Sequence, residues 1–466
     1  MTSITIDNKL LYLFIPLIRE LLKFNYPTDK LLSNFFRENK KLTSKQRELI
    51  AETSYAILRN YYKLTQPAFY QATTNDNNRN TSDNQSHNTN HDNILQHNIP
   101  DIIGLTWLNI LNIPSAQLSN LKLIDSQRLS KINFLSPESE QLNLELPSWI
   151  VEQLSKQYDK TELKQLALSL QQPAPLDLRV NLIKNNVNDV LKELQQFDAQ
   201  HGTPPKGVPQ ECVPQKCAPQ ECVPQKMPYS PFGIRLEDKT FLAKHPLFTN
   251  GSIEVQDEAS QLAGLLLNPK RGEMIVDFCA GSGGKTLLFG MLMRNSGRIY
   301  AFDVNEKRLN NLYPRLARSG LSNVYPQLIN NETDNKVKRL HNKIDRVFVD
   351  APCSGLGTLR RNPELKFRQS PDKIAELNLK QMSILEEASK LVKPGGHLVY
   401  ATCSILPQEN QLIVEKFLNN HPEFKLIPAA TVIKNPQLEH HSGCLVLLPH
   451  IHHCDGFFAA LFMSNQ

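Results

Sequence analysis

What the 466-residue sequence lacks narrows its nature first. No apolar run approaches the roughly 20 residues that a helix needs to span a bilayer, which excludes a helical membrane protein. The opening "MTSITIDNKLLYLFIPLIRELLKF" has no basic leader and no small-residue cleavage site, and Arg19 and Glu20 interrupt its apolar stretch. It reads as an amphipathic helix rather than a secretion signal, so a cytoplasmic location is expected. The eight cysteines include no CxxC pair and follow no disulfide framework, so each is expected to be a free thiol, inert or catalytic. A large excess of one charge is missing too: 52 Lys and Arg against 46 Asp and Glu leave +6, a mild bias toward an acidic partner such as nucleic acid.

Three regions are present. Residues 1–148 read as helices, with apolar residues at helical spacing in "YLFIPLIRELLKF", "TDKLLSNFFREN" and "TSKQRELIAETSYAILRNYYKL", the last capped at Thr43. The Asn-rich run at 75–93 has nothing to bury and reads as a disordered insertion. Residues 149–250 form a small α+β region, in which "PLDLRVNLI" and "FGIRLED" are strand-like and "NVNDVLKELQQF" is helical. Its middle holds four copies of a five-residue repeat, "VPQECVPQKCAPQECVPQKM" at 208–227. Proline in every copy removes backbone donors, which makes this stretch an extended surface linker. A five-residue cysteine period is no metal pair, and no metal is expected there.

From 251 to 466 strands and helices alternate. Strand-like runs fall at 274–278, 298–304, 324–329, 346–352 and 397–403, with helices at 305–318 and 371–391, and "GCLVLLPH" and "DGFFAALF" close the region. This is the pattern of an α/β domain with a parallel sheet covered on both faces. Such sheets bind ligands at the carboxyl ends of their strands, where the notable residues of this chain lie.

The first such end reads "VDFCAGSGGKT", Asp277 to Thr286 following Val276. The Gly-Lys-Thr ending suggests a phosphate-binding loop, but Cys279 stands where that loop requires glycine. The dinucleotide pattern fails as well, since Thr286 takes the place of its third glycine. The alternation Asp-x-Cys-x-Gly-x-Gly is closer to the adenosine loop of S-adenosylmethionine-dependent methyltransferases. Twenty residues past Gly283, Asp303 ends the second strand, where an acid accepts ribose hydroxyls. The likeness to that loop implies cofactor contacts from Cys279, Ala280, Gly281, Ser282, Gly283, Gly284, Lys285, Asp303 and Asp350.

Two further strand ends carry thiols, Cys353 in "FVDAPCSGLGTLRRNPELKFR" and Cys403 in "VYATCSILPQEN", with Asp350 three residues before the first. Methylating an oxygen or amine needs no covalent catalyst. Carbon-5 of a pyrimidine becomes nucleophilic only after addition at carbon-6, which a thiolate performs well. A carboxyl group near ring nitrogen 3 can stabilise the adduct.

Together these motifs resemble those of the RNA cytosine-carbon-5 methyltransferase family, the Sun/Fmu and NOP group. "VQDEASQL" at 255–262 and "HCDGFFAALF" at 453–462 are similar to the same family, and "DKLLSNFFREN" and "RELIAETSYAILRN" resemble the NusB-like RNA-binding domain of its bacterial ribosomal members. The resemblance implies a Rossmann-like domain preceded by an RRM-like α+β subdomain and an all-α NusB-like domain. It implies S-adenosyl-L-methionine as cofactor, Cys403 as nucleophile, Cys353 assisting product release and Asp350 at the cytosine ring. It implies structured RNA as partner, small-subunit ribosomal RNA foremost, with transfer RNA or a catalytically idle assembly factor as alternatives. Nothing calls for a second copy, and a monomer is expected. Two departures stand out. The family carries CAAPGGK where this chain has "CAGSGGK", and its acid after the third strand is replaced within "LINNETD" by Asn330 and Asn331.

Beyond Cys353, the cations Arg360, Arg361, Lys366 and Arg368 are candidates to hold phosphates flanking a base drawn out of its stack. The terminal "HIHHC" matches no paired zinc spacing and reads as strand packing.

Overall fold

The computed structural model describes residues 6–65, 70–71, 99–134, 144–201, 223–236, 242–438 and 441–465. The Asn-rich run at 75–93 lies outside them, as does the repeat up to residue 222. The chain divides into two compact units, Met1–Gln172 with Leu359–Ser370, and Pro173–Thr358 with Pro371–Gln466. In this division the helices Ser148–Leu154 and Lys160–Gln171 fall in the first unit, together with the segment Leu359–Ser370.

The first unit is helical, led by α1 (Asn8–Leu21), α2 (Thr28–Glu38) and α3 (Ser44–Arg59). Thr43 caps α3 through a reciprocal pair with Gln46, the side chain of each accepting from the other's backbone N–H. Phe14, Ile18, Ile57 and Trp107 lie at the centre of its apolar core, and the indole N–H of Trp107 donates to Thr53 Oγ1 at 2.8 Å. Residues 359–370 pack into this core. Phe367 stacks on Phe24 at 4.3 Å, and Glu364 accepts the backbone N–H of Thr28, where Pro27 leaves the start of α2 without a side-chain cap. Lys366 is only 3% exposed, and its ammonium donates to the backbone carbonyl of Glu145 at 2.7 Å. Burial drives its pKa down to about 8, against the opposing pull of Glu145. The expectation that Lys366 contacts RNA is therefore corrected: its charge is spent inside the helical core.

The second unit holds two sheets. The smaller is antiparallel, with β1 (Leu176–Val180), β2 (Gln225–Lys226), β3 (Gly233–Leu236) and β4 (Ile253–Val255) in the order β2-β3-β1-β4. One face buries Leu178, Val180, Ile234 and Ile253 with Val190 and Leu194 of the helix Val187–His201, which is labelled α4. The alternate residues Asp177, Arg179 and Glu254 are buried as well. The two acids are compensated by ion pairs, Arg235 forking onto Asp177 while Arg315 and Arg318 share the two oxygens of Glu254, and Arg179 donates to the side-chain oxygen of Gln256 and to the carbonyl of Gly284.

The larger sheet contains β5 (Met274–Asp277), β6 (Arg298–Asp303), β7 (Val324–Leu328), β8 (Ile344–Asp350), β9 (Val392–Thr402), β10 (Phe424–Ile427), β11 (Leu445–Leu447) and β12 (Phe457–Ser464). Their order is β10-β12-β9-β8-β5-β6-β7, with β11 also paired to β12. Strands β5 to β9 are parallel, as the alternation with helices implies, and the closing strand β12 runs antiparallel to β9. The sheet is thus mixed rather than parallel throughout. The chain starts at β5, winds outward to β7 and returns to β8 on the other side of β5. That reversal opens a crevice at the carboxyl ends of β5 and β8, where Asp277 and Asp350 stand.

Candidate active site

Beyond β5 the backbone stays tied to its neighbours: Phe278 N–H donates to Phe348 and Ala280 N–H to Phe302, each at 2.8 Å. The glycines then turn the chain into the helix Gly284–Leu292, here α5. Gly281 and Gly283 have φ of +56° and +81°, a region that favours glycine. Their surroundings differ. A Cβ on Gly283 would come within 2.1 Å of Leu312, whereas one on Gly281 would meet no atom within 4 Å. Gly283 serves packing, and Gly281 leaves room for a ligand against the backbone.

Asp303, at the end of β6, fixes this turn. Its carboxylate accepts the N–H of Gly281 at 2.7 Å and that of Asn305 at 2.6 Å. Each oxygen keeps a lone pair, so acceptors for ribose hydroxyls remain. Carbonyls on the other side are gripped by arginines, Arg315 on Ser282 at 2.7 Å and Arg179 on Gly284 at 2.6 Å. Asp277 is buried behind the loop. Thr286 donates to its Oδ2 at 2.6 Å while its Oδ1 has no partner, and burial pushes its pKa up to about 7. Burial likewise raises the Cys279 thiol.

Lys285 is held by a carboxylate and an aromatic ring. Its ammonium donates to Asp350 Oδ2 at 2.7 Å and lies 4.9 Å from the Phe457 ring centroid. The loop therefore shares its Gly-Lys-Thr ending with nucleotide hydrolases but uses the lysine to hold a carboxylate.

Cys353 and Cys403 meet. Their sulfurs are 3.3 Å apart, each half-buried, at the ends of adjacent strands in which Asp350 pairs with Ala401. The contact with Cys403, and then burial, raise the Cys353 thiol. Each cysteine precedes a serine, and both serine hydroxyls donate to Glu409 Oε2. Glu409 is a residue that sequence reasoning missed. Its place six residues after Cys403 gives no hint that it would reach the turn of Cys353 as well.

The candidate RNA cations all fall in the first unit, whereas both thiols lie in the second. The Arg59 guanidinium donates to the carbonyl of Arg360 at 3.0 Å, and Arg360, Arg361 and Arg368 are all partly buried. Asn330 is exposed, Glu332 is paired to Lys380 at 2.6 Å, and Asp334 caps the short helix that follows it. In "HIHHC", His452 is buried and its Nδ1 accepts the N–H of Leu448. Among the described residues no cluster of His, Cys, Asp and Glu is arranged to hold a metal ion, and no helix is long and apolar enough to cross a membrane.

A glycine loop after the first strand, an acid after the second and a switch point beside them define the Rossmann-like fold of S-adenosylmethionine-dependent methyltransferases. The 16S rRNA methyltransferase RsmB/F family matches residues 264–463, and the ferredoxin-like domain of RsmF/B-like methyltransferases matches residues 146–208. The chain is 35% identical over 316 residues to the "Probable ribosomal RNA small subunit methyltransferase B" of Synechocystis sp., covering 67% of this chain and 66% of that protein. It is 31% identical over 332 residues to the "Ribosomal RNA small subunit methyltransferase B" of Shewanella oneidensis, covering 71% and 69%. The match to the Synechocystis protein thus spans just under two thirds of that relative's length. Among solved structures, PH0851 aligns with a TM-score of 0.71 and 26% identity over 99% of this chain and 100% of that one. The chain belongs to the RsmB/F methyltransferase family.

Proposed function

We propose that this protein transfers a methyl group from S-adenosyl-L-methionine to carbon-5 of a cytidine in small-subunit ribosomal RNA, through a covalent bond between Cys403 and carbon-6. The observation that carries this reading is the pair of thiols 3.3 Å apart at strand ends beside the glycine loop. Transfer to oxygen or nitrogen would need neither thiol. The loop fits the cofactor: Gly281 has open space where a Cβ would stand, Asp303 offers acceptors to a ribose, and Lys285 is engaged elsewhere. When bound, the cofactor supplies an electrophilic methyl group.

The chain's own groups would do the rest. The Cys403 thiolate adds to carbon-6 and pushes electron density onto carbon-5. Asp350, its Oδ2 held by Lys285, shares a proton between its other oxygen and ring nitrogen 3, which neutralises charge building on the ring. Once carbon-5 is methylated, Cys353 acts in its thiolate form: it takes the carbon-5 proton, the electron pair of that C–H bond re-forms the 5,6 double bond, and the Cys403–carbon-6 bond breaks to release product and the Cys403 thiolate. Free thiols suit a reducing cytoplasm, and a single chain supplies every group named. The helical first unit is assigned to holding the RNA, with Arg360, Arg361 and Arg368 still candidates for phosphate contact.

The test is methyl transfer to ribosomal RNA in vitro with position-resolved mapping of 5-methylcytidine. The account expects one methylated cytidine in small-subunit RNA and none with Cys403→Ala. Full activity of Cys403→Ala, or methylation confined to transfer RNA, would overturn the mechanism or the substrate respectively.

A further inference from the structure

Glu409 is wholly buried, and its hydrogen-bond partners among the described residues include no cation. Its Oε1 accepts the backbone N–H of Ser354 at 2.8 Å and the side-chain amide of Gln381 at 3.0 Å. Its Oε2 accepts the hydroxyls of both Ser354 and Ser404. A buried carboxylate is costly unless its lone pairs are satisfied, and here four donors converge on it. Those donors come from two turns of matching design. In each, the serine after the cysteine accepts the N–H two residues on, Leu356 to Ser354 at 3.4 Å and Leu406 to Ser404 at 3.1 Å. The backbone of Glu409 is itself anchored, since its carbonyl accepts the Tyr400 hydroxyl at 2.6 Å. Gln381 also donates to the carbonyl of Pro352, next to Cys353.

We propose that Glu409 is a positioning residue that clamps the two cysteine turns together and thereby sets the reach of Cys353 to Cys403. The inference rests on the reading of those thiols as the working pair. A carboxylate suits the task because it only accepts, and every group facing it here donates. An amide at the same place would set an N–H₂ against two hydroxyls or against two N–H donors, so the turns would have to part or reorient.

The test uses the full chain and reads thiol separation directly. Diamide takes one hydrogen from each of two neighbouring thiols, becoming the hydrazine as the sulfur–sulfur bond forms. In the wild-type chain it is expected to link Cys353 to Cys403 rapidly, with the linked peptides identified by mass spectrometry. Glu409→Gln is expected to slow that linkage at least tenfold. The same variant should lower kcat on the order of 10²-fold, the usual consequence of misplacing a reacting group by about 1 Å, with KM for RNA unchanged. Wild-type linkage and wild-type kcat in Glu409→Gln overturn the inference. Should Glu409→Gln fail to fold, Ser354→Ala and Ser404→Ala each remove one hydroxyl of the clamp. Slower linkage in both supports the inference, and unchanged linkage in both overturns it. Because cross-linking needs neither RNA nor cofactor, the two readings fail separately. A chain that links its thiols through Glu409 yet methylates no cytidine supports the clamp and refutes the proposed reaction.

Discussion

Replacing Lys366 by methionine keeps the apolar stem and removes only the buried ammonium. Glu145, itself 2% exposed, would keep the backbone N–H groups of Tyr62 and Lys63 at 3.0 and 2.8 Å but lose its cation. Burial already shifts both partners toward their neutral forms, lowering Lys366 and raising Glu145, so the pair itself stabilises little. Removing one partner is different, because it strands the other charge and orphans the Glu145 carbonyl. Such losses cost about 3–5 kcal/mol. For a unit of roughly 150–250 residues each kcal/mol lowers Tm by about 2–4 °C, so a drop of at least about 6 °C is expected. Scanning calorimetry of the full chain reads it, with RNA binding measured in parallel across a salt series. Lys366→Met combined with Glu145→Gln should recover part of the loss. Unchanged Tm with weaker, less salt-dependent RNA binding would refute this reasoning and restore Lys366 as a phosphate contact.

Gly281→Ala places a methyl in open space at positive φ, costing about 1–2 kcal/mol of strain while obstructing the cofactor, so S-adenosylmethionine affinity by calorimetry should fall with only a small loss of Tm. Gly283→Ala adds the clash with Leu312 and should lower Tm clearly further; equal effects of the two substitutions would contradict the assigned roles. For Asp277 the folded pKa of about 7 lies above the unfolded 3.8. Between these values the folded state holds the extra proton, so this group's contribution to stability is lost as pH rises through that window. From pH 5 to pH 8 the wild type should therefore lose about 2–3 kcal/mol relative to Asp277→Asn in urea unfolding, and a pH-independent difference would exclude a buried protonated carboxyl.

The alternation of β5 to β9 with helices was legible because period and length both favour buried parallel strands. The glycine loop was legible because its spacing is local, and Cys353 and Cys403 because both follow strand-like runs. Four features were not. The short strand β10 carries only four residues and no alternation that separates it from the helix before it. The return of residues 359–370 into the helical unit depends on Phe367 and Glu364 finding partners more than 300 residues away in sequence, Phe24 and Thr28. A run of cations beside a candidate catalytic motif looks like a phosphate site until the burial of Lys366 is known. Glu409 was hidden for the same reason, since its role is written in contacts to two turns 50 residues apart.

The central claim is that Cys403 becomes covalently joined to RNA. Its most direct test incubates Cys353→Ala protein with S-adenosylmethionine and small-subunit ribosomal RNA, digests the RNA, and weighs the peptide bearing Cys403. The account predicts a stalled adduct carrying a methylated cytidine nucleotide on Cys403 and absent from Cys403→Ala. Methylated RNA with an unmodified Cys403 peptide and no adduct would contradict it.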